Sequence, residues 1–232
     1  MRPKRRQRFL PSAIGISGGI ALASVAFWFF RHQAKRVVTG KADVYDGAIL
    51  EAVGTLDNES VLEAMELVTH LGSHPAIITA TGLTALAMIR KGKAQDAWTV
   101  LISTGGALAL NSALKAIFQR ERPQELYRQI KLPRSHSFPS GHSLLSAATY
   151  PIVAHHLVES RSTIVQLCAH SVSAIVILSV GFSRIYFRVH FPSDVLGGFA
   201  AGFGWLGLTA LSHTFFDRSQ QRRTARTRAI GA

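Results

Sequence analysis

An all-α bundle of six transmembrane helices, with both termini cytoplasmic, is the fold that this 232-residue sequence predicts. Three observations predict it. Only 17% of the residues are charged, against about 25% in ordinary soluble domains. The apolar residues gather in long blocks that an amphipathic helix with one wet face would not tolerate. Many of the cations behind the formal net charge of +13 sit at the two ends: Arg2, Lys4, Arg5, Arg6 and Arg8 at one, Arg218, Arg222, Arg223, Arg226 and Arg228 at the other. The length suits a single domain.

Residues 1–10 read as a basic cytoplasmic N-terminus, followed by a first span at 11–30 with no charged residue. A cleaved signal peptide would need a short small-residue cleavage site. Here Phe27, Trp28, Phe29 and Phe30 follow the apolar run and suit an interfacial anchor, so the block reads as a retained span. The segment 43–72 mixes Asp46, Glu51, Asp57, Glu59, Glu63 and Glu66 with apolar residues. It reads as an interfacial amphipathic helix or pair of helices.

The second span is placed at 67–89, its uncharged part being 75–89, and the third at 97–117. The fourth, 143–158, contains His155 and His156; the fifth, 162–183, carries only His170; the sixth is 195–212. A basic cytoplasmic tail, 217–232, ends the chain. Short inside connectors then hold Arg90, Lys91, Lys93 and Arg161, as the positive-inside rule asks. The outside connector 118–140 breaks that rule with Arg120, Arg122, Arg128, Lys131 and Arg134. An anionic ligand explains those cations. Nucleic acid is excluded as a partner, because the basic residues build topology signals rather than a basic globular surface. The single cysteine, Cys168, excludes an intramolecular disulfide and a cysteine-based metal site.

This topology brings three polar clusters to one membrane face. Lys115 precedes Arg122-Pro123 by about two helical turns, roughly 10 Å of rise, and both side chains are long enough to meet on one anion. Pro123 disfavours helix at Arg122, so the third span should end there. Pro139-Ser140-Gly141-His142 opens the fourth span: Ser140 is a favoured N-cap, Gly141 lets a ligand approach the main chain, and His142 exchanges protons near neutral pH. In the third cluster Pro192 suits the first turn of the sixth span. That leaves His190 just before the helix, with Asp194 able to reach back to its ring. Arg184 adds a planar fork suited to phosphate oxygens. His32, His70, His74, His136, His155, His156, His170 and His213 read as structural or interfacial.

At these residues the chain resembles the type 2 phosphatidic acid phosphatase superfamily, which also includes vanadium haloperoxidases. The family pattern runs Lys, six residues, Arg-Pro; then Pro-Ser-Gly-His; then Ser-Arg, five residues, His, three residues, Asp. Lys115 to Pro123, Pro139 to His142, and Ser183-Arg184 through His190 to Asp194 match every specified position. The resemblance implies that His190 attacks phosphorus and becomes a phosphohistidine while Asp194 orients it. It implies that His142 protonates the leaving alkoxide, and that Lys115, Arg122, Ser140, Gly141 and Arg184 hold the phosphoryl oxygens.

It further implies hydrolysis of a membrane lipid phosphate. The basic tails, short loops and lack of a visible eukaryotic sorting signal point to a bacterial inner membrane, and the topology sets the active site facing the periplasm or exterior. Undecaprenyl diphosphate, phosphatidic acid and phosphatidylglycerophosphate are the expected substrates. No cofactor and no metal are expected, since the cations supply the electrostatic work of one. The alternatives are a vanadate-dependent haloperoxidase, which six apolar blocks oppose, and a non-catalytic lipid-phosphate binder or transporter, which the presence of His142, His190 and Asp194 opposes.

Overall fold

The computed structural model of the protein describes residues 13–56, 58–123 and 135–230. The N-terminal segment 1–10 and the cations Arg128, Lys131 and Arg134 lie outside them. The described residues are all-α, with no strand. The helices are α1 (Ala13–Val38), α2 (Asp43–Gly54), α3 (Glu59–Leu71), α4 (His74–Arg90), α5 (Ala94–Phe118), α6 (Gly141–Val158), α7 (Thr163–Tyr186) and α8 (Pro192–Ile230).

Their starts follow local chemistry. The Asn58 side chain accepts from the Ser60 N–H at 2.9 Å and opens α3. Ser73 accepts from Ala76 N–H at 3.4 Å and opens α4, whose first turn contains Pro75. That cap is why the expected continuous span 67–89 is broken. α3 and α4 meet at a 49° bend, because Ser73 leaves helical geometry to cap and Pro75 has no N–H to carry the ladder through. The segment 43–72 forms a pair of helices, α2 and α3, one of the two forms expected of it.

α6 is the central rod and packs against α4, α5, α7 and α8. Ile77, Ala107, Leu144, Leu145, Ala148 and Ala201 form the core between them. Polar groups also tie the helices together: Thr81 to Thr104 at 2.8 Å, Thr104 to Thr149 at 3.2 Å, and the Trp205 indole N–H to the Ser103 carbonyl at 2.8 Å.

The outside of the bundle is apolar. On α7, Ile164, Leu167, Val172, Ile175 and Leu178 are all exposed. A surface of this kind drives association in water and costs nothing in hydrocarbon. Among the described residues, α5, α7 and the Pro192–Thr214 part of α8 are long and apolar enough to cross a bilayer, and the bent α3–α4 pair would make a fourth. α1 and α6 are not among them, against six expected. The first side chains of α1 fall outside the described residues. α6 carries His142, His155 and His156, and 11 of its 18 residues are buried against neighbouring helices rather than turned to lipid.

Inside a membrane, helices associate through close packing, because lipid tails are as apolar as the side chains they would replace. Gly198 and Gly202, one turn apart on α8, provide it. A Cβ on Gly202 would stand 2.4 Å from the Leu144 carbonyl oxygen, and one on Gly198 would stand 2.6 Å from that of Ser140. Main-chain atoms cannot rotate away. Gly202→Val is therefore expected to cost about 1–3 kcal/mol, read as a lower melting temperature in detergent. Gly82→Ala, where no atom lies within 4 Å of the added carbon, should leave it unchanged or raise it slightly, since alanine is the better helix former. Equal melting temperatures for both variants would refute the packing argument.

Candidate active site

The α7–α8 turn, the α6 N-terminus and the end of α5 converge at one end of the bundle. Pro192 starts α8, so Asp194 lies in its first turn and its carboxylate reaches back to the preceding loop. Asp194 Oδ2 lies 3.3 Å from His190 Nδ1 and accepts from the Phe191 N–H at 2.9 Å and from the Ser137 hydroxyl. Oδ1 accepts from Arg120 Nη1 at 2.8 Å. Both His190 and Asp194 are buried.

On the other side of the ring, His190 Nε2 faces Arg122 Nη1 at 3.2 Å. A guanidinium only donates. Nε2 must therefore be the acceptor, which puts the ring proton on Nδ1, toward Asp194. Burial pushes the imidazole down to about 3; Asp194 opposes that shift, and Arg122 and Arg184 add to it. The ring is neutral at working pH, with the lone pair of Nε2 turned toward the cations.

Those cations are crowded together. Arg122 donates from Nη1 to the Val189 carbonyl at 2.6 Å and from Nε to that of Ser135 at 2.9 Å. Lys115 donates to the carbonyl of His136. Arg184 donates to Thr69 Oγ1 at 2.6 Å, while its buried Nε has no hydrogen-bond partner. Lys115 feels the charges of both Arg122 and Arg184. Burial holds Arg122 below the usual arginine range. Cations held together in a buried pocket make a high positive potential, which is an anion site by construction.

Ser140 and Gly141 form the floor. Ser140 accepts from Ser143 N–H at 3.5 Å as the N-cap of α6, and its own N–H donates to the Asp194 carbonyl at 2.9 Å. A Cβ on Gly141 would stand 3.1 Å from the Asn111 amide, so glycine lets α6 begin tight against α5. His142 is in the first turn of α6, close enough to interact with the charges of Arg184, His190 and Arg122. The three motif clusters thus meet around His190.

Two residues had roles that the sequence did not reveal. Arg120, one of the connector cations expected to serve an anionic ligand, is instead committed to protein carboxylates. Besides Asp194 it reaches Asp46 at 2.9 Å and Asp43 at 3.2 Å, and it stacks 4.1 Å from the Phe191 ring centroid. The attraction of Asp194 and Asp46 raises its already high pKa further. Asp46, expected on an interfacial helix surface, is fully buried. Ser193 donates to it from its main-chain N–H at 2.8 Å and from its hydroxyl at 2.5 Å. The excess of cations in the connector was visible; its pairing with an acid 74 residues away was not. His136 contributes its carbonyl while its side chain is exposed.

Fold and site together define a class: a helical membrane protein with a carboxylate-oriented histidine set against a cluster of cations. The family model described as the PAP2 superfamily matches residues 96–218. Phosphatidylglycerophosphatase B of Bacillus subtilis (strain 168) is 32% identical over 178 residues, covering 76% of this chain and 87% of the relative. The crystal structure of a transmembrane PAP2 type phosphatidylglycerolphosphate phosphatase from Bacillus subtilis superposes with a TM-score of 0.75 at 30% identity, over 85% of this chain and 96% of that one. Aquifex aeolicus LpxE shares the fold, with a TM-score of 0.52 at 23% identity over 71% of this chain and 93% of that one. The chain belongs to the PAP2 superfamily.

Proposed function

We propose that the protein hydrolyses the phosphate ester or diphosphate of a membrane lipid through a phosphohistidine at His190. The observation that carries this reading is the opposed pair of contacts on one imidazole: Asp194 at Nδ1 and a guanidinium at Nε2. An anion replaces that guanidinium–imidazole contact with a better one. Arg122 then grips a phosphoryl oxygen and Nε2 faces phosphorus.

Phosphoryl transfer needs in-line positioning and charge stabilisation more than elaborate covalent chemistry. Lys115, Arg122 and Arg184 bind the equatorial oxygens, helped by Ser140 and the N–H groups opening α6. Nε2 attacks, the P–O bond to the lipid breaks, and His142, which takes up a proton from solvent once the bound phosphate anion offsets the neighbouring cations, delivers that proton to the departing oxygen. His142 next takes a proton from water, which displaces the phosphate from His190. Asp194 keeps the Nδ1 proton in place and balances the cation that forms on the ring. No metal takes part in these steps.

Six spans with cytoplasmic termini would set this site at the outer headgroup level of a bacterial inner membrane, leaving the lipid tail in hydrocarbon. The similarity to a phosphatidylglycerophosphatase favours a diacyl phosphate, with undecaprenyl diphosphate and phosphatidic acid as the competing substrates. Phosphate release from a panel of prenyl, diacyl and short water-soluble phosphates, in EDTA, tests the proposal. Tail-dependent turnover that survives chelation is expected. Binding without turnover of any lipid phosphate would refute it.

A further inference from the structure

At the far end of α6, about 21 Å from His142 by helix rise, a second polar cluster borders a cavity of about 450 Å³. Its lining includes His155, His156 and His213. The reaction described above uses none of them.

Glu159 follows His155 by four residues and His156 by three, and both spacings make helix neighbours. The carboxylate therefore projects between the two imidazoles. One potential ligand atom from each of the three residues lies within 4.8 Å of the others. His156 is 5% exposed, and its Nδ1 has no hydrogen-bond partner. The nearest carboxylate oxygen, Glu159 Oε2, stands 3.8 Å away, beyond hydrogen-bond reach. A buried polar atom left in that condition is destabilising until something satisfies it.

The second oxygen of Glu159 is held by Lys93, and its carbonyl accepts from Gln166 Nε2 at 3.3 Å. Lys93 also lies 3.8 Å from Asp96, which in turn faces His213 Nε2 at 3.1 Å. Lys93 is thus shared between the carboxylates of Glu159 and Asp96.

We propose that His155, His156 and Glu159 bind one divalent transition-metal ion of the zinc class, with water from the adjoining cavity completing the shell. Two imidazoles and a carboxylate suit such an ion, whereas magnesium and calcium demand oxygen-rich shells. A metal–nitrogen distance near 2.0 Å implies ligand atoms about 3.4 Å apart in a tetrahedron. The three must close by up to about 1.4 Å, within reach of rotation by exposed His155 and by Glu159. Lys93 then plays the outer partner that a ligating carboxylate ordinarily has.

The test is a titration of full-length protein in detergent, purified without a histidine tag and stripped with chelator, using Zn²⁺ and Co²⁺. One equivalent should bind, with a Co²⁺ visible spectrum of a low-coordinate nitrogen–oxygen site. The ion should also raise the melting temperature. Glu159→Gln, and His155→Gln at the exposed ligand, should each weaken binding by at least about 10-fold and abolish the thermal shift; His32→Ala should change neither. Absence of stoichiometric binding, or equal affinity in wild type and both ligand variants, would overturn the assignment. Since His155→Gln alters an exposed side chain, loss of binding in that variant cannot be blamed on a collapsed core.

Discussion

Replacing His190 with alanine is expected to slow phosphate release by a factor on the order of 10⁴ or more, the scale on which removal of a nucleophile acts in other covalent catalysts. The loss should fall on kcat. On the proposed mechanism substrate grip comes mainly from Lys115, Arg122 and Arg184, which the substitution leaves in place, so KM should change little. A second readout separates nucleophile from bystander. Wild-type protein quenched during turnover of a ³²P-labelled lipid phosphate should carry label on a nitrogen, stable to base and lost in acid, and His190→Ala should carry none. The neutral state that burial enforces on the ring means that the nucleophile needs no activation by rising pH. Turnover by His190→Ala within a few-fold of wild type would remove the imidazole from the mechanism.

The second large effect is expected at Arg120, which the proposed reaction does not use. Its two Nη atoms bridge Asp194 and Asp46, both fully buried. Arg120→Ala leaves two anions in a low-dielectric interior without the cation that bridges them, and breaking a buried pair in this way costs about 3–5 kcal/mol. Adding Asp46→Asn removes one of the stranded charges. The double variant should therefore recover part of the stability that Arg120→Ala loses, a coupling that a double-mutant cycle reads directly. Activity should recover less, because Asp194 stays unsupported at Oδ1 and its hold on the ring loosens. If the double variant is less stable than Arg120→Ala alone, the bridge is not the device described.

These two predictions also mark where the sequence could be read and where it could not. His190, Asp194, His142 and the cations proposed to hold phosphate lie in short motifs whose internal spacing reports local geometry. A carboxylate four residues after a histidine, with proline between them, can only turn back from a first helical turn. Arg120 and Asp46 share no such local signature. One looks like a loop cation and the other like the wet face of an interfacial helix; only the fold reveals that each neutralises the other. The broken α3–α4 span was legible in principle, from Ser73 followed by Pro75, but apolar continuity across it suggested a single helix. α6 ran the opposite way: its histidines weaken it as a lipid-facing span, while its central position lets it carry them.

The Ser140 N–H to Asp194 carbonyl bond, at 2.9 Å, has a consequence of its own. It joins the loop that carries His190 to the start of α6, where the proposed phosphate site lies, and it does so through the peptide backbone. The aim of the chemistry is thereby insulated from side-chain drift. Substitutions lower in the bundle can therefore alter its lipid-facing surface while the covalent chain and one amide hydrogen bond keep the α7–α8 turn registered on the start of α6.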